Sequence, residues 1–225
     1  MAVSRTVYLT KANLSRKTES WLAELHNTRG RLPLTGQLNG ALVVVDLQRI
    51  FCAPDSPAYL PAWAAVRQPC FQLIEFFLNT KRRVVFTRHL DSGPFSKTSL
   101  SHFFPQPILP ESPLSQLIPE VQPYVKQSVV IEKNRLSAWS NPQLRRALAG
   151  CDYVVLAGVQ IQLCVLTTAL GAAEFNYIPI IVADACAAPN VSLHKAALSV
   201  LSSGHAHLLT STELIGLLQN RSGHV

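Results

Sequence analysis

The chain alternates short, uniformly apolar runs with longer stretches whose apolar residues recur at helical spacing. ALVVVDLQ (41–48) is a β-branched run suited to a strand buried on both faces. Residues 61–80 keep the helical period, and Pro69 within them is expected to kink or restart that helix. RRVVFTRHL predicts a second strand, broken at DSGP, and SVVIEK a third. Between them, residues 91–123 are rich in Pro and Ser and too long for a plain connection, which points to a lid or site-forming loop. Asn141-Pro142 opens a short helix that Gly150 stops. DYVVLAGV is the fourth strand, and a helix follows Cys164 to about Asn176. IPIIVADA is the fifth strand, with a helix near SLHKAALSVLSS behind it. HAHLLTS is the sixth, and STELIGLLQN is a last helix with Ser211 or Thr212 as its N-cap.

Repeated strand–helix alternation predicts an α/β, three-layer Rossmann-like fold: a six-stranded, mostly parallel sheet in the order 3-2-1-4-5-6, with helices on both faces. Residues 1–36 stand before it as an N-terminal arm and a candidate oligomer contact, and residues 37–225 form the domain. Ligands of such sheets bind outside the carboxyl ends of the strands, where strand order reverses. That rule selects Asp46, the Thr87-Arg88-His89 group, Lys133 and the loop before Cys164.

The net charge of +7 raises the question of nucleic acid. Much of the excess lies in the arm, where Arg5, Lys11, Arg16, Lys17, Arg29 and Arg31 face only Glu19 and Glu24. No run interleaves basic residues with stacking aromatics, so a solvated arm or a subunit contact is the simpler account, and no nucleic-acid partner is expected. No apolar run approaches the roughly 18 residues of a membrane span, and no secretory leader is expected. Five cysteines without paired spacing suit free thiols in a reducing, cytoplasmic setting.

Three of the selected residues make a chemical set. Asp46 ends a run of valines, where an acid is costly unless paired or working. Lys133 ends an apolar strand and meets the same objection. Cys164 sits near a helix start, whose N–H groups and dipole favour thiolate, and a nearby ammonium would lower its pKa further. A carboxylate within reach would accept the thiol proton.

VVVDLQRIF, EKNRLSAWSNPQL and GVQIQLCV, with VVFTRHLDSG and the late VADA, resemble the motifs of the isochorismatase-like cysteine hydrolases, over roughly residues 38–215. That family includes nicotinamidases and N-carbamoylsarcosine amidohydrolase. The resemblance implies a catalytic triad of Asp46, Lys133 and Cys164, and hydrolysis of a C–N bond of a small amide or ureide through a thioester. It also implies a cis Val159–Gln160 peptide, with the Gln160 and Cys164 N–H groups as the oxyanion hole. Gln48, Phe51, Arg88 and Trp139 are candidate substrate contacts. For Phe51 and Trp139 the alternative is core packing, and for Arg88 a structural ion pair.

Two departures from the family pattern matter. Ile161 stands where a threonine often braces the nucleophile loop. Nicotinamidases hold a metal through an Asp-x-His pair and a further His, whereas after its first strand this chain offers Asp55 but no such pair. His89 and His102 are read as surface or loop residues, so no metal and no cofactor is expected. The family further implies a homo-oligomer, dimer or tetramer, acting on a small-molecule substrate. Isochorismatase-type vinyl-ether hydrolysis and a non-catalytic binding role are the alternatives.

Overall fold

A computed structural model describes residues 4–25, 39–91, 106–203 and 206–222. Six parallel strands form one sheet in the order β3-β2-β1-β4-β5-β6. They are β1 (Gly40–Val45), β2 (Arg83–His89), β3 (Val129–Lys133), β4 (Tyr153–Val159), β5 (Ile178–Ala187) and β6 (His207–Leu209). The central pair, β1 and β4, is buried at every position, which is why their sequences read as unbroken apolar runs rather than alternating ones. The expected strand order holds, and every pairing is parallel.

The main helices are α1 (Leu14–Glu24), α2 (Arg49–Cys52), α3 (Trp63–Asn79), α4 (Gln122–Val125), α5 (Gln143–Ala147), α6 (Leu166–Glu174), α7 (Val191–Ser202) and α8 (Ser211–Ser222). The chain winds outward from β1 in one direction and from β4 in the other. Right-handed crossovers in opposite directions place their helices on opposite faces of the sheet. Accordingly α3 packs with α8, and α6 with α7.

Two local expectations fail. Pro69 does not restart the helix in which it lies: α3 is one continuous 17-residue helix that contains it. Cys70, Leu73, Ile74 and Phe77 beyond it are fully buried, and that packing outweighs one missing backbone hydrogen bond. The last helix is capped one residue earlier than expected. Thr210 Oγ1 accepts the Glu213 N–H (3.2 Å) while Glu213 Oε2 accepts the Thr210 N–H (2.8 Å), a reciprocal capping box. Ser211 is taken instead by Asp184, whose two carboxylate oxygens accept its N–H and its hydroxyl at 2.7 Å each.

The described part of the arm, residues 4–25, folds back on its own chain. Leu9 and Leu22 are buried, and Trp21 packs on the His194 ring of α7 with centroids 5.0 Å apart. Tyr8 Oη meets His194 Nδ1 at 2.8 Å and accepts the Ala188 N–H at 3.0 Å. The rest of the arm lies outside the described residues, as do residues 92–105 of the Pro-rich stretch and His102 with them. What is described of that stretch, from residue 106 onward, is a series of short turns ending in α4.

Candidate active site

Near the switch point between β1 and β4 three buried polar side chains, Asp46, Lys133 and Cys164, converge. Asp46 follows the last residue of β1 with φ of 51°, a left-handed conformation that aspartate adopts more readily than most residues. It is fully buried. Its N–H donates to Thr87 Oγ1 (3.1 Å), and the Thr87 hydroxyl donates back to Asp46 Oδ1 (2.6 Å). Thr87 comes from the neighbouring strand β2, so the carboxylate is gripped from the sheet itself.

Lys133, the last residue of β3, reaches the same point with its ammonium buried. Nζ donates to Asp46 Oδ2 (2.7 Å), to the Arg135 carbonyl (3.3 Å) and to Cys164 Sγ (3.5 Å). All three ammonium protons therefore have acceptors, the condition under which a buried charge is tolerable. Burial works to lower the Lys133 pKa, but the charges and hydrogen bonds of Asp46 and Cys164 outweigh it, and the net shift is upward.

Cys164 does not sit in the first turn of an α-helix. It lies in a single π-helical turn, Ile161–Val165, that runs into α6. Burial pushes its thiol up to about 12; Lys133 pulls it down and Asp46, hydrogen-bonded to it, pushes it up. The resting group at neutral pH is thus a thiol beside an Asp46–Lys133 ion pair. The expected preference for thiolate is reversed because loss of solvent outweighs one ammonium at 3.5 Å.

The loop that carries the cysteine is tightly specified. Gly158 has φ of 114°, and a Cβ there would collide with the Val45 carbonyl oxygen of β1. The Val159–Gln160 peptide is cis. The Gln160 carbonyl accepts from Leu163 N (3.1 Å) and Val165 N (3.2 Å), and Gln160 Oε1 accepts from Gln162 Nε2 (2.6 Å). That side-chain pair braces the loop where Ile161 supplies no hydroxyl.

The four candidate substrate contacts have visible structural partners. Gln48 Nε2 donates to the carbonyls of His89 (2.9 Å) and Ser115 (2.7 Å), and its Oε1 accepts the His89 N–H (2.8 Å). Phe51 is 1% exposed within α2. Arg88 forms an ion pair with Glu132 (3.4 Å) and donates to Gln116 Oε1 (3.4 Å). Trp139 donates its Nε1–H to the Thr168 carbonyl (2.8 Å) and packs on Phe175 and Tyr177, with centroids 4.8 and 5.3 Å away. A cleft of about 460 Å³ opens beside Lys133, walled in part by Leu90, Pro110, Glu132, Asn134 and Asn141.

His89 is not a surface residue. The period of two along β2 puts it on the same side as Thr87, where it is fully buried, 3.4 Å from Asp91 through Nε2. Among the described residues no group of three His, Cys, Asp or Glu is arranged to hold a metal ion. No helix among them is long and apolar enough to cross a membrane. Sequence reasoning noticed the Thr87 position without assigning it a role. Its signal was a hydroxyl in an otherwise apolar run, but only the β1–β2 register shows which carboxylate it holds.

A sequence profile of the isochorismatase domain matches residues 40–213, most of the chain and all of the sheet. This protein belongs to the isochorismatase family. It is 28% identical over 178 residues to nicotinamidase 3 of Arabidopsis thaliana, covering 77% of this chain and 86% of that one. Among solved structures, the family fold is shared with a cysteine hydrolase from Pseudomonas syringae pv. phaseolicola 1448A. That pair has a TM-score of 0.75 at 24% identity, over 86% of this chain and 98% of the other. An N-carbamoylsarcosine amidase from Thermoplasma acidophilum aligns at TM-score 0.66 and 26% identity, over 77% and 97% of the two chains.

Proposed function

We propose that this isochorismatase-family hydrolase cleaves the C–N bond of a small amide or ureide, with Cys164 as nucleophile, Asp46 as proton carrier and Lys133 as the charge that organises both. The observation that carries this reading is the convergence on one ammonium: Lys133 Nζ lies 2.7 Å from Asp46 Oδ2 and 3.5 Å from Cys164 Sγ, with all three residues buried. The amidase and nicotinamidase relatives support C–N chemistry.

Because the resting thiol is protonated, the proton leaves as the sulfur attacks. Asp46 accepts it, Sγ bonds to the substrate carbonyl carbon, and the carbonyl electrons move onto oxygen. The N–H groups of Gln160 and Cys164 are the proposed donors to that oxyanion; one such donor is worth about 3 kcal/mol in comparable sites. The oxyanion collapses, the C–N bond breaks, and the nitrogen takes the proton from Asp46, leaving a thioester. Asp46 then removes a proton from water, hydroxide adds to the thioester, and the product acid leaves as Sγ is reprotonated.

The test is ammonia release from a panel of small amides and ureides, with acid-quenched intact mass to trap the acyl-enzyme. Activity that Cys164→Ala abolishes, with an adduct on wild type only, is the expected result. Hydrolysis that survives Cys164→Ala would sink the thioester route and turn attention to non-covalent cleavage of a vinyl ether.

A further inference from the structure

A cleft of about 860 Å³ lies between α2, α3 and the turn at residues 118–120. Neither Asp46, Lys133 nor Cys164 lines it. Its size is within the range of about 300–1,000 Å³ typical of small-molecule sites. Lys11, Arg49 and Arg67 reach its wall, and Glu120 is the one acid among the residues that line it.

The charges do not cancel. Arg67 is answered by Glu120, 3.0 Å away, and its guanidinium lies over the Phe71 ring, 5.8 Å from the centroid. Lys11 and Arg49 are left without an acid in the lining. Arg49 Nε is buried and has no hydrogen-bond partner among the described residues. A buried donor in that state is costly unless a ligand accepts from it. Around these cations stand the aromatic side chains of Tyr59, Trp63 and Phe71.

From this combination we propose that the cleft is a second ligand site for a small planar aromatic carboxylate. The carboxylate accepts from Arg49 and Lys11; a guanidinium fork matches its two oxygens, and the lysine adds a point charge. The ring lies among Tyr59, Trp63 and Phe71, whose aromatic faces favour a flat partner. Cys52 also lines the cleft, but burial pushes its thiol well up, so the ligand is held without a covalent bond. Lys11 belongs to the segment before the first strand, so that segment supplies part of the site.

The probe is 2-naphthoate, titrated by calorimetry at low salt into the full chain, with 2-naphthalenemethanol as its uncharged counterpart. The carboxylate should bind at least tenfold tighter than the alcohol. Arg49→Met and Lys11→Met, which keep the apolar stems, should each weaken it at least fivefold. Cys164→Ala should leave it unchanged, which separates this site from the triad. Equal affinity for acid and alcohol, no detectable heat, or indifference to both substitutions would overturn the assignment. Should Arg49→Met fail to fold, Lys11→Met, at an exposed position, decides the matter alone.

Discussion

Replacing Lys133 with methionine isolates what the ammonium does for the fold. Asp46 is fully buried, and Lys133 is its only ion-pair partner among the described residues. In the variant the carboxylate keeps the Thr87 hydrogen bond but loses its counter-charge. Removing one partner of a buried pair costs about 3–5 kcal/mol, chiefly because the other charge is stranded. For a chain of this length that is roughly 6–20 °C in Tm. The sign with pH follows from the wild-type shift. Lys133 is raised above its ordinary value of 10.5, so its stabilising contribution is complete below that pH and lost only as pH climbs through the raised value. The deficit of Lys133→Met should therefore be full at pH 8. The double variant Lys133→Met/Asp46→Asn should recover most of the loss, since asparagine carries no charge and tolerates the φ of 51°. Urea unfolding of the three proteins at pH 8 measures all of this. A single-variant deficit under about 1 kcal/mol, or a double variant no better than the single, would refute the claim that the ion pair holds a stranded charge.

Thr87→Val should cost about 2 kcal/mol by urea unfolding and reduce turnover, because Asp46 loses both a donor and an acceptor, while Thr87→Ser should retain most of both. With its thiol pushed up to about 12, Cys164 should react slowly with iodoacetamide at pH 7, and its labelling rate, followed by peptide mass, should still be climbing at pH 10. A plateau near neutrality would contradict the buried-thiol account. Gly158→Ala should lose about 3 kcal/mol or more, read as a fall in the urea midpoint, from the positive φ and the collision with Val45 together. His194, lowered by burial to about 3, stays neutral in the fold while the unfolded chain takes up a proton below about 6.5. Wild type should therefore lose about 1.4 kcal/mol per pH unit through that window relative to His194→Leu, measured by unfolding at pH 4 to 7.

The sequence determined the sheet and the members of the candidate triad. Strands buried on both faces must be written as unbroken apolar runs, so β1 and β4 were visible as such. Charges at the ends of such runs must be paired or functional, and that brought out Asp46 and Lys133. The strand–helix alternation implied parallel strands, and with them the carboxyl end of the sheet as the place to look for a site. Periodicity carries no information about desolvation, however. That the Cys164 thiol lies deep enough for burial to outweigh Lys133, and that it occupies a π turn rather than an α-helical N-terminus, depends on what the other strands and loops cover. Register across the sheet decided that Thr87 holds Asp46 and that His89, on the same side of β2, lies buried. Packing decided that Pro69 stays inside one continuous helix and that Gln48 ties β2 to the turn at Ser115. Each of these depends on residues far apart in the chain, whose contacts exist only once the sheet has formed.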